Sequence, residues 1–412
     1  MPASFSDDQM PHQPNAALSR YDFLAPSSIL FGAGRFAELG EVTARFGREA
    51  WLVTGSRSLE ACGGEAVVAG GLRAAGLDVA RVGTCTGEPT VADVAGMVRE
   101  LPPIAGRGAV VVAIGGGAAI DLAKAVAALA TNLANPHKCD EDTVADHLEG
   151  VGRGLTIAQP PLPMIAVPTT AGTGAEATRN AVISCPRRRF KKSMRSPLLV
   201  PRAALVDPAL TVPCPRDVTA ASGLDAITQL IESFICRFRA PLPRALVLDA
   251  LPRAVAALPR VLADPHDLDA RAAMSHAALL SGMALTNSGL GMAHGVAAAL
   301  GIECETPHGV ACAVMLPVAV AVNRPACQDD FAILEQEIDP EAPRDREAAA
   351  DAFVRRIDDL RTAAGTPRRL ADVGLSRDRL TWLAENSGGA SMRGNPVSLD
   401  PQALLPILER IW

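Results

Sequence analysis

An aspartate and two histidines are the side chains in this sequence best suited to chemistry. The stretch GLDAITQLIE has helical spacing and places Asp225 and Gln229 four residues apart, on one face. His294 follows in GLGMAHG and His308 in TPHGVAC. An aspartate and two histidines provide oxygen and nitrogen ligands for a divalent metal, with one position open for a substrate oxygen. Such a metal would stabilise an alkoxide that develops during hydride transfer, although packed, hydrogen-bonded histidines explain the same pattern.

Two loops rich in small residues suggest a second kind of chemistry, the binding of phosphate. IGGGAAIDLAK begins at Ile114, where an apolar run feeds a helix, so backbone N–H groups and the helix dipole can meet a pyrophosphate. The pattern is not GxGxxG, and the classical dinucleotide fingerprint therefore does not apply. PTTAGTG begins at Pro168 and adds hydroxyls and flexible backbone at another predicted strand end. Two such loops suit one dinucleotide that lies across the ends of parallel strands.

The elements that must position these residues change character along the chain. The first half alternates short apolar runs, such as AWLVTG, AVVVAIGGG and PMIAVP, with helical stretches, which predicts a mainly parallel sheet covered by helices. We find no convincing strand beyond Val206. The second half instead has helical spacing over residues 217–237, 242–262, 268–285, 294–300, 345–364 and 401–411. We predict a flexible tail over residues 1–20, an α/β domain over 21–208 and an all-helical domain over 209–412.

Composition excludes several classes of function. Of the 412 residues, 49% are hydrophobic and 20% charged, which is typical of a globular protein and not of a disordered one. The net charge is −6, and the one dense basic cluster, RRRFKK, is expected to be a solvated turn, so we predict no nucleic-acid partner. No apolar run is long enough for a membrane span, and the amino terminus lacks the apolar core of a signal peptide. The nine scattered cysteines include no CxxC, which predicts free thiols in the cytoplasm rather than a thiolate zinc site.

From about Phe23 to the carboxyl terminus, the chain resembles the iron-containing (group III) alcohol dehydrogenase superfamily. The motifs that carry the resemblance occur in order: GGGAAIDLAKA, PTTAGTGAEATRNAVI, SPLLVPRAALVDPAL, SGLDAITQLIE, GLGMAHG and PHGVACAVMLP. The resemblance implies the dehydroquinate synthase-like fold of that superfamily, with the active site in the cleft between an NAD(P)-binding α/β domain and a helical domain. It also implies a homodimer that interconverts a small-molecule alcohol and an aldehyde or ketone by metal-assisted hydride transfer.

The resemblance assigns roles to individual residues. The residues that it places at the cofactor are Gly115, Gly116, Gly117, Thr169, Thr170, Thr173, Asn180 and Lys191. The residues that it places at the metal, Fe²⁺ or Zn²⁺, are Asp225, Gln229, His294 and His308. Asp225 and His294 are the predicted catalytic residues.

Three departures from the family pattern affect the prediction. Gln229 stands where a histidine is usual, and its amide oxygen is a weaker ligand than an imidazole nitrogen. Ala298 replaces a second histidine four residues after His294, which leaves the proton to a water or a ribose hydroxyl. Gly55 ends a predicted strand where an aspartate often selects NAD, and Arg57 lies close by in sequence. We therefore predict either NAD or NADP.

Two other interpretations remain open at this point. The first is a metal-independent reductase of an activated keto acid, similar to maleylacetate reductase, with Arg179 and Arg393 as candidates to bind the carboxylate. The second is a nucleotide-binding protein without redox activity, or a lyase related to the dehydroquinate synthases.

Overall fold

The computed structural model describes residues 21–102 and 108–412. The predicted flexible tail, residues 1–20, lies outside the described residues. The strands within the described part are β1 (Ser28–Phe31), β2 (Glu49–Gly55), β3 (Asp78–Cys85), β4 (Ala109–Gly115), β5 (Met164–Pro168), β6 (Asn180–Cys185), β7 (Phe190–Arg195) and β8 (Ala203–Val206). The helices of the first half are α1 (Leu39–Ala44), α2 (Ser58–Ala61), α3 (Glu65–Ala74), α4 (Val91–Arg99), α5 (Gly117–Asn132) and α6 (Glu141–Ala145). Those of the second half are α7 (Arg216–Ile235), α8 (Pro241–Ala263), α9 (Leu268–Asn287), α10 (Met292–Glu303), α11 (His308–Asn323), α12 (Gln328–Ile338), α13 (Arg346–Ala364), α14 (Leu380–Asn386), α15 (Ala390–Arg393) and α16 (Pro401–Arg410).

Six of the strands form one parallel sheet in the order β1-β8-β5-β4-β2-β3. The central strand β4, AVVVAIG, is buried along its whole length, as expected for a parallel strand with helices on both faces. The chain runs outward from β2 to β3 on one side and from β4 to β5 and β8 on the other. The β2/β4 boundary is therefore the switch point of the sheet, where α/β proteins bind their ligands. The predicted fold class, a mainly parallel α/β region followed by helices, is confirmed.

An antiparallel hairpin of β6 and β7 stands apart from the main sheet. The sequence interpretation of RRRFKK as a solvated turn was only partly right. Arg187 and Arg189 lie in the exposed turn, but β7 begins at Phe190, whose side chain is buried. A dense run of charges concealed the strand, because its burial alternates weakly along Phe190–Arg195. The hairpin packs against α5 and so lies beside the predicted phosphate loop.

The second half is helical throughout, as predicted, and α7 runs through its centre. Almost every residue of α7 from Thr219 onward is buried, because α8, α9 and α11 all pack against it. The apolar core around α7 includes Ala204 and Val206 of β8, so the helices pack directly on the sheet. Helices α11, α12, α14 and α15 were not among the predicted ones. The residue limits of the two domains stay a prediction.

None of the described helices combines the length and the hydropathy that crossing a lipid bilayer demands. All nine cysteines are free thiols, as predicted, and seven of them are buried.

Candidate functional site

A cavity of about 410 Å³ lies between the carboxyl edge of the sheet and the helices of the second half. Seven of the residues predicted from the sequence line it together: Gly117, Thr173, Asn180, Lys191, Gln229, His294 and His308. The remaining predicted residues are not in the cavity wall: Gly115, Gly116, Thr169, Thr170 and Asp225. Asp225 lies directly behind the wall, in contact with His294.

The glycine loop, Gly115 to Gly117, packs closely against the end of β2 and against the threonine loop. A Cβ atom on Gly115 would lie 3.0 Å from the backbone N of Gly55, so the close approach of β4 to the end of β2 favours glycine at position 115. A Cβ on Gly117 would lie 2.3 Å from Oγ1 of Thr173. Gly116 precedes α5, whose amino terminus carries no side-chain cap. The first N–H groups of α5 are therefore available to an anionic ligand.

The threonine loop lies against the glycine loop. The backbone N of Thr169 donates to the carbonyl oxygen of Gly115 at 3.0 Å. A Cβ on Gly116 would lie 3.3 Å from Oγ1 of Thr170. The two loops that the sequence singled out thus form one continuous surface at the ends of β4 and β5, as a single dinucleotide would require.

A buried lysine fixes the start of the hairpin next to these loops. Lys124 Nζ donates to the carbonyl oxygens of Thr178 (2.9 Å) and Asn180 (2.8 Å) and to the hydroxyl of Thr178 (2.7 Å). Nζ of Lys124 also lies 3.7 Å from Oδ1 of Asp121. Burial raises the pKa of Asp121 to about 6 and lowers that of Lys124 to about 8. Sequence reasoning missed this pair, whose signal was the i, i+3 spacing in AAIDLAK.

Two acceptor oxygens in the cavity wall lack hydrogen bonds within the described part of the chain. They are Oδ1 of Asp121 and Oδ1 of Asn180, and both are buried. Buried acceptors normally have a partner, so these two suit donors of a bound molecule such as ribose hydroxyls. Lys191, another predicted cofactor residue, instead pairs through Nζ with Glu88 at 2.8 Å.

Asp225 and the two histidines come together in the structure, although Asp225 and His308 are 83 residues apart in the sequence. Nε2 of His294 lies 3.2 Å from Oδ1 of Asp225, and Nε2 of His308 lies 3.9 Å from the same oxygen. A fourth side chain joins them, because Sγ of Cys312 lies 3.7 Å from Nε2 of His308. Ligand atoms of these four residues all lie within 4.8 Å of one another.

The hydrogen bonds of His294 show why this cluster fits a metal. Nδ1 of His294 is 2.7 Å from Oε2 of Glu232, and its proton is donated to that carboxylate. Nε2 of His294 therefore faces Oδ1 of Asp225, and its lone pair is available to an ion when that nitrogen carries no proton. Two acceptors at 3.2 Å need a proton or a cation between them. A carboxylate behind a ligating histidine is the usual arrangement at metal centres.

The pKa shifts in the cluster follow from burial among opposite charges. Burial opposes protonation of His294, but the Cys312 thiol and the two carboxylates raise its pKa well above the ordinary value. Burial favours the neutral form of Asp225, yet the two histidines outweigh it and lower its pKa. Burial lowers the pKa of His308 to about 4, so its imidazole is neutral and able to ligate at neutral pH.

Gln229 faces the cavity, but its amide oxygen already has a partner. Oε1 of Gln229 accepts a hydrogen bond of 2.7 Å from Oγ of Ser281 on α9. The second lone pair of that oxygen remains for a further contact.

Two residues of the site were missed in the sequence. Glu232 lies seven residues after Asp225, on the same face of α7 and inside the same GLDAITQLIE stretch. Cys312 lies four residues after His308, on the first turns of α11. Cys312 belongs to no CxxC pair, so its spacing in the sequence gives no sign of a ligand. Burial raises the pKa of Cys312 to about 12, which keeps it a neutral thiol at neutral pH.

The fold and the site together define a dinucleotide-binding oxidoreductase with a metal-type cluster, and comparison with known proteins gives the family. The model for iron-containing alcohol dehydrogenase matches residues 26–208, and that for the carboxyl-terminal part of the Fe-containing alcohol dehydrogenase family matches residues 219–412. The probable alcohol dehydrogenase EutG of Escherichia coli (strain K12) is 32% identical over 375 residues, 91% of this chain and 90% of that protein.

Solved structures agree with this assignment. The crystal structure of a 1,3-propanediol oxidoreductase matches with a TM-score of 0.85 at 28% identity, over 96% of this chain and 100% of that one. The sulfoacetaldehyde reductase of Bifidobacterium kashiwanohense, in complex with NAD+, matches with a TM-score of 0.81 at 27% identity, over 95% and 99% of the two chains.

The chain belongs to the iron-containing alcohol dehydrogenase family. It is an oxidoreductase that interconverts a small-molecule alcohol and its carbonyl compound, and the resemblance stated from the motifs is confirmed.

Proposed function

We propose that this enzyme transfers hydride between the substrate carbon and the nicotinamide of NAD or NADP, with a divalent metal, Fe²⁺ or Zn²⁺, at the cluster of Asp225, His294 and His308. One observation carries the proposal: His294 and His308 line the same cavity as Gly117 and Thr173 of the two phosphate-type loops. A cofactor on those loops and an alcohol at the histidines would share one enclosed space.

The proposed roles follow from the contacts. Asp225, His294 and His308 would hold the metal, Gln229 would be a weak oxygen ligand or a neighbour of the site, and Asp225 and His294 are the proposed catalytic residues. A bound divalent metal supplies a Lewis acid that polarises the substrate oxygen. Glu232 orients His294 by accepting its Nδ1 proton at 2.7 Å. The remaining loop residues, from Gly115 and Thr169 to Asn180 and Lys191, are proposed cofactor contacts.

No side chain at position 298 is available to relay a proton. Ala298 lines the cavity one turn after His294 on α10 and presents only a methyl group. We assign the proton of the substrate hydroxyl to a water or to a ribose hydroxyl of the cofactor. The oxygen of Asn180 and that of Asp121 in the cavity wall are acceptors on which such a hydroxyl could be held.

The choice between NAD and NADP depends on the end of β2. A Cβ atom on Gly55 would lie 2.4 Å from Oγ of Ser58, so the aspartate that often selects NAD has no room unless Ser58 moves. Arg57 is exposed beside this point and would attract a 2′-phosphate. The related sulfoacetaldehyde reductase was solved with NAD+. We propose that this enzyme accepts both cofactors.

A metal-independent reductase of a keto acid is the second candidate. Arg179 and Arg393, the two arginines that this interpretation requires, do line the cavity. The clustering of Asp225 with both histidines favours the metal-assisted reaction, because their ligand atoms converge within 4.8 Å of one another beside the cavity. We further propose a homodimer in the cytoplasm, where the nine free cysteines would stay reduced.

The test is a screen of small aldehydes with NADH and NADPH, each with Fe²⁺, Zn²⁺ or a chelator. We expect NAD(P)H oxidation that the chelator abolishes and that Fe²⁺ or Zn²⁺ restores. The variant His294→Ala should lose activity and bound metal together, while His266→Ala, on an exposed turn, should keep both. Full activity in a metal-free preparation would refute the metal-assisted reaction and favour the keto-acid reductase.

A further inference from the structure

Resting on the proposed function, we infer that the carbonyl substrate carries an oxyanion, a carboxylate, sulfonate or phosphonate, which Arg179, Arg195 and Arg393 bind inside the cavity. All three arginines line the same cavity as His294 and His308. The inference goes beyond the reaction type, because it specifies the chemical class of the substrate.

Two different elements bring the three guanidinium groups together. Arg195 ends β7 and pairs in register with Asn180, the first residue of β6. Arg179 immediately precedes β6, and its carbonyl oxygen accepts from the backbone N of Ser196 at 3.2 Å. The hairpin thus places two arginines side by side. Arg393 comes from α15, far beyond the hairpin in chain order, and lies on the helical side of the cavity.

The segment that carries Arg393 is anchored to the helical core. Asn395, which is buried, accepts from the backbone N of Met292 at 3.1 Å and exchanges two hydrogen bonds of 2.9 Å with Asn323. The carbonyl oxygen of Gly394 accepts from the backbone N of Arg237 at 3.0 Å. These bonds anchor the two residues that directly follow Arg393. Ser391 and Arg393 of the SMRGNP segment line the cavity.

The cavity wall carries more cationic than anionic side chains. Lys191 pairs with Glu88 at 2.8 Å, and the carboxylate of Asp121 lies near Lys124 at 3.7 Å. Arg195 has one carboxylate near it, with Nε 3.1 Å from Oε1 of Glu149.

Two of the arginines have no acidic partner. Within the described part of the chain, Arg179 and Arg393 form neither an ion pair nor a side-chain hydrogen bond. Burial lowers the pKa of Arg195, Glu149 opposes this, and the charges of Arg179 and Arg393 lower it further. Arg179 and Arg393 therefore lie close enough to repel the charge of Arg195, and this repulsion disfavours the assembly in the absence of an anion.

An oxyanion of the substrate would relieve this repulsion. A guanidinium binds a planar or tetrahedral oxyanion through two parallel N–H···O bonds, and several around one pocket give both affinity and orientation. The wall also contains the apolar side chains of Phe238, Leu285 and Leu290, which suit a short carbon spacer. Because the nicotinamide shares the cavity of about 410 Å³, the substrate must be small.

The experiment compares matched pairs of aldehydes with the metal-loaded, full-length enzyme. Succinate semialdehyde is paired with butanal, while sulfoacetaldehyde and phosphonoacetaldehyde are each paired with propanal. We expect kcat/KM for at least one anionic aldehyde to exceed that of its neutral partner by about tenfold or more, as for a charge-assisted contact. The three anionic probes separate the carboxylate, sulfonate and phosphonate alternatives.

The variants Arg179→Gln and Arg393→Gln should reduce that ratio by about tenfold, mainly through a higher KM for the anionic aldehyde. Arg355→Gln, which removes an exposed arginine of α13, is the matched control and should keep the ratio. A wild-type ratio of one or less for every pair overturns the inference. The inference is also overturned if Arg179→Gln and Arg393→Gln raise KM for NADH or NADPH but leave the ratio of kcat/KM between anionic and neutral aldehydes unchanged. In that case the arginines would bind the cofactor and not the substrate.

A binding measurement separates this inference from the proposed function. Butyrate, propanesulfonate and propylphosphonate should raise the Tm of the wild-type enzyme, and Arg393→Gln should remove the shift caused by whichever anion binds. Absence of NAD(P)H oxidation with every aldehyde would refute the proposed function, and the Tm shift would still decide on the anion site. No shift with any of the three anions would overturn the inference.

Discussion

The substitution Glu232→Gln tests whether this buried carboxylate positions the metal-type cluster. Glu232 is only 2% exposed and accepts three hydrogen bonds. Oε1 accepts from the backbone N of Ala293 at 2.7 Å, while Oε2 accepts from the backbone N of Gly291 at 2.9 Å and from Nδ1 of His294 at 2.7 Å. The carboxylate therefore caps α10 and orients His294 at the same time. A glutamine of the same shape must point its NH₂ group at one of these donors.

The magnitude follows from counting these bonds. The less costly orientation places the NH₂ group at the Oε1 position, which loses the bond to Ala293 and keeps two bonds to a neutral oxygen. Losing one charge-assisted hydrogen bond costs about 2 kcal/mol, and weakening two others costs about 1 kcal/mol each, which gives about 4 kcal/mol in total. Because the partner behind a metal ligand is altered, we also expect metal affinity and kcat/KM to fall by about 10- to 100-fold.

The assay needs a control that destabilises α10 without touching His294. Oδ1 of Asn395 accepts from the backbone N of Met292 at 3.1 Å, so Asn395→Ala removes a neighbouring cap of the same helix end. Both variants should lower the midpoint of urea unfolding. Only Glu232→Gln should weaken metal binding, as measured by competition with a chelator. Equal losses in the two variants would refute a positioning role for Glu232 and reduce it to a helix cap.

Three further predictions concern other parts of the molecule. Gln229→His should tighten metal binding by about tenfold or more, because it adds an imidazole ligand four residues after Asp225. Metal binding is measured by competition with a chelator, and an unchanged affinity would place residue 229 outside the coordination sphere. Gly117→Ala puts a Cβ 2.3 Å from a threonine oxygen and should raise the Kd of NAD(P)H, measured by fluorescence titration, whereas Gly70→Ala, with nothing within 4 Å, should not. Burial raises the pKa of Glu176 to about 7 from 4.5, so the fold loses stability as the pH rises through that interval. The Tm of Glu176→Gln should therefore fall less than that of the wild type between about pH 5 and about pH 8, and an identical fall would contradict the assignment.

Local pattern was sufficient for the parallel sheet and for the longer helices α7, α8, α9 and α13 of the second half. AVVVAIG is β-branched and uninterrupted, and it became the fully buried central strand β4. The hairpin strand β7 was not recognised, because its sequence FKKSMR is dominated by charge and its burial depends on packing against β6 and α10. Strand β1, of four residues, is held by its pairing with β8, a partner far along the chain.

The sequence by itself determined the kinds of side chain available for catalysis and the loops that flank them. Asp225 with its helix, two histidines beside glycines and two small-residue loops indicated a metal site and a dinucleotide site, because each depends on residue identity and short spacing. The reaction type came from the family that these motifs resemble. Only the tertiary structure decided which residues meet. It placed Glu232 behind His294, brought Cys312 to the cluster and left Gln229 bonded to Ser281, since these contacts join separate helices. It also gathered three arginines from a hairpin and a distant helix around one cavity, an arrangement that no local pattern encodes.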